Sequence, residues 1–379
     1  MKASTEHPVY SARIVKSNGT TYRLKDITTD LIVSHPKGEL AEKAVATLVD
    51  VKVGNDLLRN LIALQDKVYI NADTGSGESE VFRGLVWERD FSYDADTDEI
   101  NIVCYNRLIY MQKSKDNFFA KSGKTTKSLV ETLANKWGFK ISFKYKSITH
   151  GKLTFHNESV ADILISILDE VKKKKGVGYV IRMSGDTIVI ETEGSNKTVY
   201  KLVEKKNAIS TSFKETMDGM VTKVLIVKAE TTDETDNSEQ SIVELAKSYM
   251  ESDPSLSYAD AIAKAKEKVN GSSGSGETGN YLTVTSVSKN TSKYGTLQQI
   301  ITISKDENLS EAKEEANQTL EDNATPQKEY DIKSVDVPWV KKGDQIYITA
   351  GSLNGYYIVD SVEHDTLNYI MYLEVSKYE

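Results

Sequence analysis

The sequence predicts an α+β fold that is mainly β, in which two antiparallel β-barrel regions flank a small α+β block. Three observations carry that prediction. Short runs rich in Ile, Val and Tyr alternate apolar and polar residues with period two. Gly, Asn and Asp separate them, as in antiparallel strands joined by tight turns. The twenty Tyr, against eight Phe and three Trp, favour pleated, half-buried surfaces over helices. The third observation is a repeat, because residues 65–107 read as an earlier copy of the closing stretch 335–379.

In the closing stretch, Tyr369, Met371, Leu373 and Val375 fall on one face, and Ile370, Tyr372 and Glu374 on the other. The two copies match run by run. Val68-Tyr69-Ile70-Asn71-Ala72 follows a charged turn, as Ile346-Tyr347-Ile348-Thr349-Ala350 follows Lys342-Gly343-Asp344. A Gly/Ser loop comes next in both. Val81 to Val86 then answers Tyr356 to Val362, and Glu88-Arg89-Asp90 takes the place of Glu363-His364-Asp365. Ile100 to Tyr105 answers Tyr369 to Val375.

In chain order, the first β region, residues 1–115, has expected strands at Tyr10–Val15, Ile27–Ser34, Ala44–Val53, Val68–Asn71, Val81–Asp90 and Ile100–Tyr110. Asn18-Gly19 before Thr20–Leu24 is a hairpin signal. Leu57 to Leu64 reads as one short helix or an apolar loop. The α+β block covers 116–200, and within it the period changes from Thr125 onward. Leu129, Val130, Leu133, Ala134 and Trp137 have helical spacing, and Gly138 stops the run. Strands follow at Lys140–Tyr145 and Lys152–His156. Ser159 with Asp162 resembles an acidic capping box ahead of the stripe Val160, Ile163, Leu164, Ile167, Leu168 and Val171. Lys172 to Lys175 suit the negative end of that helix. A hairpin then runs Tyr179–Arg182, Ser184-Gly185-Asp186, Thr187–Glu191.

The second β region, 201–379, opens with Ile209–Lys214 and Val221–Lys228. A polar, Gly/Ser-rich and acidic stretch at 230–280 reads as a flexible helical insert, with helical spacing at Ile242–Met250 and Tyr258–Val269 and a cap at Ser257 and Asp260. Strands resume at Tyr281–Ser288 and Leu297–Ser304. Asn308 with Glu311 could cap a helix carried by Leu309, Ala312, Ala316 and Leu320, and the meander closes the region.

The 379 residues suffice for two or three domains with real cores. A net charge of −8 argues against general nucleic-acid binding, which needs clustered Lys and Arg, and does not exclude a surface past which an acidic polymer slides without sticking. Cys104 is the only cysteine, so an internal disulfide and a Cys-rich zinc site are excluded. Its place on the apolar face with Ile100 and Ile102 reads as a buried structural thiol. The N-terminal residues show no secretory signal, and no run of eighteen apolar residues exists.

Several constellations have part of the spacing of a chemical site. Gly123-Lys124-Thr125 lacks the upstream Gly of a phosphate loop, Phe118 standing in its place, and reads as a helix start. Asp94, Asp96 and Asp98 have calcium-loop spacing, but Glu99 replaces the required Gly and Tyr105 the bidentate Glu, so a solvated turn is preferred. His150 and His156 have no third ligand nearby. His364 beside Asp365 lacks a nucleophile motif. Glu88 and Asp90 share a strand face but no evident cleft, and Lys172 to Lys175 read as a solvated helix end. No catalytic, cofactor-binding or metal residue is assigned, and a scaffold is expected in place of an enzyme.

The order of β region, α+β block and second β region resembles the baseplate hub proteins of contractile phage tails. These are the late-control protein D group and its relatives in defective prophages and phage-tail-like bacteriocins. The residues that carry the resemblance are Val81 to Val86, Ile100 to Leu108, Asn308 to Leu320, and Lys342-Gly343-Asp344 through Gly355–Val359 to Val362-Glu363-His364-Asp365. It covers nearly the whole chain, excepting 230–280. The resemblance implies two tail-tube-like barrels per chain and a homotrimeric ring of pseudo-sixfold symmetry, joining the hexameric tail tube to the trimeric central spike around an axial channel. Other baseplate proteins and a tape-measure protein are further implied partners, with DNA or ions only as cargo through the lumen and no membrane anchoring. It also implies assembly in the bacterial cytoplasm, then release on lysis within a virion or phage-tail-like particle. The alternatives are a tail-associated peptidoglycan hydrolase and a cell-surface glycan-binding β-module, the latter suggested by the many Tyr.

Overall fold

The computed structural model describes residues 7–93, 98–229, 247–250, 261, 264, 281–303 and 309–378. They belong to two compact units, Met1–Thr216 with Lys328–Glu379, and Met217–Gln327.

The first unit begins with β1 (Val9–Val15), β2 (Thr21–Arg23), β3 (Thr28–His35) and β4 (Lys43–Val49). A two-residue pair, β5 (Lys52–Val53) and β6 (Asp56–Leu57), leads into the helical turn α1 (Leu58–Leu61). The expected strand Ala44–Val53 therefore breaks at Asp50, whose carboxylate accepts the Arg59 backbone N–H at 2.9 Å and folds the chain back. Then come β7 (Lys67–Asp73), β8 (Ser79–Tyr93) and β9 (Asp98–Tyr105). The expected strand Ile100–Tyr110 ends early, because Asn106 Oδ1 accepts the Leu108 N–H at 3.1 Å and the turn starts α2 (Ile109–Lys113).

The middle block holds β10 (Lys115–Ala120), α3 (Thr126–Lys136), β11 (Lys140–Lys144), β12 (Leu153–Ser159), α4 (Val160–Lys175), β13 (Tyr179–Ser184) and β14 (Thr187–Thr192). Thr125 Oγ1 caps α3, and Ser159 Oγ accepts the Asp162 N–H at 3.0 Å to cap α4. Gly176, left-handed at φ 63°, ends α4 directly after its four lysines. The stripe Ile163, Leu164, Ile167, Leu168 and Val171 is buried against Leu129, Val130 and Leu133 of α3 and Ile188 and Ile190 of β14.

After the block come β15 (Tyr200–Val203) and β16 (Ala208–Thr216). The second unit then contributes β17 (Lys223–Ala229), β18 (Tyr281–Ser288), a turn α5 (Thr291–Tyr294), β19 (Gln298–Ile303) and α6 (Leu309–Asn323). It has its own core, in which Ala312, Ala316 and Leu320 of α6 cover Val224 and Ile226 of β17. Residues 247–250, Ala261 and Lys264 are helical. The rest of the expected excursion, with Ser257 and Asp260, lies outside the described residues, as does the proposed cap Asn308. The first unit resumes with β20 (Gln327–Val335), β21 (Gln345–Ala350), β22 (Leu353–Asp365) and β23 (Ile370–Lys377).

One 13-stranded sheet runs through the first unit, and its two halves share one strand plan. The lateral order β3-β4-β9-β8-β7-β1 in the first half is matched by β16-β20-β23-β22-β21-β15 in the second, with corresponding strands in the same chain order. The likeness extends to single hydrogen bonds. Gln65 N–H donates to Val86 O at 2.8 Å and Val86 N–H to Asp66 O at 2.9 Å. Gly343 N–H donates to Val359 O at 2.7 Å and Val359 N–H to Asp344 O at 2.9 Å. One residue later each middle strand bulges, at Trp87 and at Asp360.

The bulges correct the residue match read from sequence. Counting through them sets Glu88-Arg89-Asp90 against Ser361-Val362-Glu363, two residues earlier than Glu363-His364-Asp365. Tyr369 also leaves the expected face of β23, because it has φ 57° in the turn and precedes the strand. The entry strands differ as well: β1 runs antiparallel to β7, whereas β15 returns from the middle block parallel to β21.

Candidate functional site

The two halves of the sheet meet where β22 receives β3, with Val362 opposite His35 and Asp365 opposite Ile32. Alternation on these strands turns Leu31, Val33 and His35 inward, and Val362 and His364 with them. Trp339 packs against the apolar cores of both halves.

A buried polar chain crosses this joint. Tyr10 of β1 donates its hydroxyl to Asp336 Oδ2. The His364 ring places Nδ1 2.6 Å from Asp336 Oδ1 and Nε2 3.1 Å from Val340 O. Burial, with the Asp336 charge and hydrogen bond, pushes the Tyr10 phenol far above its ordinary range. His364 therefore works with Asp336 and not with neighbouring Asp365, whose side chain points to the other face of β22 and binds Asn368.

Cations of the turn before β21 complete the joint. Lys341 Nζ reaches Glu42 Oε1 at 3.1 Å and Val81 O at 2.9 Å, and Lys342 Nζ donates to Pro36 O at 2.8 Å and Glu39 O at 2.9 Å. Burial opposes ionisation of Glu42, yet Lys341 and His35 hold its carboxyl below the usual range. Burial lowers His35 to about 4, against the pull of Glu42. From the middle block, Arg182 of β13 donates to Lys342 O at 2.9 Å and Asp344 Oδ1 at 2.7 Å. Burial nevertheless leaves the Asp344 carboxyl raised.

The other candidates resolve into structure. Gly123-Lys124-Thr125 is the start of α3. Asp94 and Asp96 lie outside the described residues, and Asp98 is paired with Arg59 at 2.5 Å. His150 is buried between Thr126 Oγ1, 2.8 Å from Nε2, and Glu170 Oε2, 2.6 Å from Nδ1, while His156 is exposed. Glu88 and Asp90 are exposed on β8, and Lys174 pairs with Glu170 along α4. Burial pushes the Cys104 thiol up to about 12, which makes it a poor nucleophile. Among the described residues no group of three His, Cys, Asp or Glu could hold a metal ion, and no helix is long and apolar enough to cross a membrane.

What remains open on the first unit is sheet edge. Beyond Val86, β8 is paired only to β9, and β16 is paired only to β20, among the described residues. Both edges carry uncovered apolar side chains: Phe91 and Tyr93 on β8 are 40% and 82% exposed, Ile209 and Phe213 on β16 55% and 49%. Such edges are templates for further strands. The alternation read from sequence located these strands but could not show which edges stay open.

A family model described as YQBQ-like matches residues 49–251 and 250–376. The chain belongs to the YQBQ-like family. Among solved structures, this YQBQ-like chain is similar to the 43 kDa tail protein of prophage MuSo2 from Shewanella oneidensis, with 11% identity, a TM-score of 0.63, and 97% of this chain and 98% of the other covered. A tail protein from Neisseria meningitidis MC58 gives 12% identity, a TM-score of 0.62 and coverage of 98% and 97%. A chain of the Francisella PdpA–VgrG complex aligns over 98% of this chain and 58% of its own length, at 9% identity and a TM-score of 0.50. No curated protein matches the chain. The YQBQ-like chain thus has the fold of phage tail proteins, mainly β around a large curled antiparallel sheet.

Proposed function

We propose that this protein is a structural baseplate hub of a contractile tail. It forms a homotrimeric ring of pseudo-sixfold symmetry that joins the hexameric tail tube to the trimeric central spike around an axial channel. The observation that carries the reading is the duplicated strand plan. Two equivalent sheet halves in one chain let three chains present six similar units on one face while keeping threefold symmetry on the other. In this reading residues 1–115 and 201–379 are the two tail-tube-like barrel domains. Residues 116–200 are the α+β domain between them, and 230–280 is the insert. The fold shared with prophage tail proteins supports the assignment, and the net charge of −8 suits a lumen that passes DNA or ions without adhesion. Other baseplate proteins and a tape-measure protein are the further partners, and the particle assembles in the bacterial cytoplasm and leaves on lysis.

The test is the mass of the purified protein in solution, alone and with a tube or spike protein. The expected mass is three times that of the chain, at least once a partner is present. A strict monomer that ignores both partners would sink the hub. A turbidity assay on purified peptidoglycan adds an independent check: the scaffold leaves the suspension turbid, whereas lysis by pure protein would make it a hydrolase.

A further inference from the structure

Charge is unevenly divided along the chain. Residues 116–200 carry fourteen Lys and Arg against nine Asp and Glu, in a chain whose net charge is −8. The excess gathers at one end of this block. Ala120, the last residue of β10, pairs with Leu153 of β12, which sets Lys121 beside Lys152. The Lys124 carbonyl accepts the His150 N–H at 2.9 Å, and Ser147 Oγ accepts the Lys127 N–H at 3.4 Å. The segment entering α3 therefore runs against residues 146–150. His150 Nδ1 and Lys174 Nζ hold the Glu170 carboxylate at 2.6 and 2.8 Å, which brings the end of α4 to the same place. Beyond that helix the Tyr145 hydroxyl donates to Val177 O. Lys121, Lys124, Lys146, Lys152 and the run Lys173 to Lys175 are all exposed.

We propose that this end of the α+β block docks on a bilayer surface rich in anionic headgroups, with its lysines on the phosphates and Phe119 in the interfacial layer. The proposal concerns the block alone and holds whether or not three chains close a ring.

The carboxylates carried by these elements near the lysines are already engaged. Glu170 is held from both sides, Glu131 lies 3.8 Å from Lys127 Nζ, and Asp169 accepts the Tyr179 hydroxyl at 2.8 Å. The positive field of this end is thus left to an outside partner. A solvated helix end explains Lys173 to Lys175 alone. It does not explain why three other segments bring lysines to the same place around an uncovered aromatic ring. Phe119 is 57% exposed, and among the described residues no other large apolar side chain of 116–200 is left so bare. Lys152 Nζ sits 5.7 Å from the centre of its ring. Lysine stems lie along an apolar layer while their ammonium groups stay at headgroup level, and a ring among them adds buried apolar area.

Two features favour a lipid surface over a nucleic acid. The exposed cations of this end are lysines, point charges without the planar fork that reads phosphates and bases bidentately. The block's Arg182 is turned into the joint, on Lys342 O and Asp344. A single-stranded polymer also needs successive aromatic platforms, and here one bare ring stands alone. The acidity of the remaining chain does not cancel the attraction, because screening confines each field to about 8 Å at physiological salt.

Flotation of the full-length protein with vesicles tests the proposal. The protein should rise with vesicles of phosphatidylcholine and phosphatidylglycerol in equal parts, stay down with phosphatidylcholine alone, and detach at high salt. Each lysine at such a surface is worth about fivefold in affinity, so Lys124→Ser, Lys146→Ser and Lys152→Ser together should weaken binding about a hundredfold. Arginine at the same three positions keeps the charge and should keep the binding, which separates lost charge from a lost fold. Removing equal charge from the first sheet half, by Lys25→Ser, Lys52→Ser and Lys67→Ser, should leave affinity nearly unchanged. Phe119→Ser, at constant charge, should weaken binding severalfold. Absence of flotation with the anionic vesicles, equal losses from the two serine triples, or unchanged binding by Phe119→Ser overturns the proposal. So does capture of a DNA oligonucleotide by protein that ignores the vesicles, which would assign the lysines to a polymer.

Discussion

At the scale of residues, Asp336 carries the polar connection between the halves, being 1% exposed with Tyr10 on one oxygen and His364 on the other. Removing a carboxylate that satisfies both the Tyr10 hydroxyl and His364 Nδ1 leaves those two buried atoms without that partner, which costs about 3–5 kcal/mol. Tyr10→Phe removes only a hydroxyl and leaves the Asp336–His364 contact, so about 1–3 kcal/mol is expected. Urea unfolding of Asp336→Ala and Tyr10→Phe should rank them in that order, and equal losses would show that the network does not act through Asp336. His35 makes the joint sensitive to acid. Burial lowers its pKa to about 4 from an ordinary 6.5, so the unfolded chain binds the extra proton between those values. Its contribution is complete above 6.5 and is lost as pH falls toward 4, about 3 kcal/mol in all. His35→Leu should flatten the pH dependence of unfolding within that window and leave its slope unchanged above pH 7.

At the scale of elements, the matched turns before β7 and β21 differ at one position with a physical consequence. Gln65 and Gly343 make the same hydrogen bond and share the left-handed region, at φ 71° and 80°. Gln65 tolerates that conformation, while a Cβ on Gly343 would lie 2.6 Å from Val180 Cβ of β13. Gly343→Ala should therefore cost more than 2 kcal/mol, roughly a left-handed penalty plus a clash, and Gln65→Gly only a few tenths. Thermal unfolding of the two variants reads this directly.

The same elements show what the sequence made legible. Alternation revealed β7 and β21 in correct correspondence, Val68–Ala72 with Ile346–Ala350, because those strands are half-buried and regular. It missed β15, four residues long and recruited by parallel pairing, and β20, where Tyr330 and its neighbours are too exposed to alternate clearly. The bulges at Trp87 and Asp360 were invisible, since a bulge changes pairing without changing composition. His364 looked paired to Asp365 by adjacency, but its partner Asp336 lies 28 residues away and is supplied by tertiary packing.

For the whole molecule, the second unit occupies an informative place. It enters between β16 and β20, the connection that the first half makes with Pro36–Glu42 between β3 and β4. The strand ends it departs from lie side by side, with Lys328 Nζ 4.0 Å from Glu215 Oε1. The unit has its own core of Val224, Ile226, Ile303, Ala316 and Leu320. A domain with its own core, inserted across adjacent strand ends, adds little to the stability of its host, because closing a longer loop costs only about 0.6 kcal/mol per doubling of length. Replacing residues 217–326 with a turn of the Pro36–Glu42 type should therefore leave the unfolding of the first unit within about 1 kcal/mol of its original value. Only the transition belonging to the second unit should disappear from the calorimetric trace. Collapse of the remaining sheet would show that β16 needs the insert to hold its place at the edge.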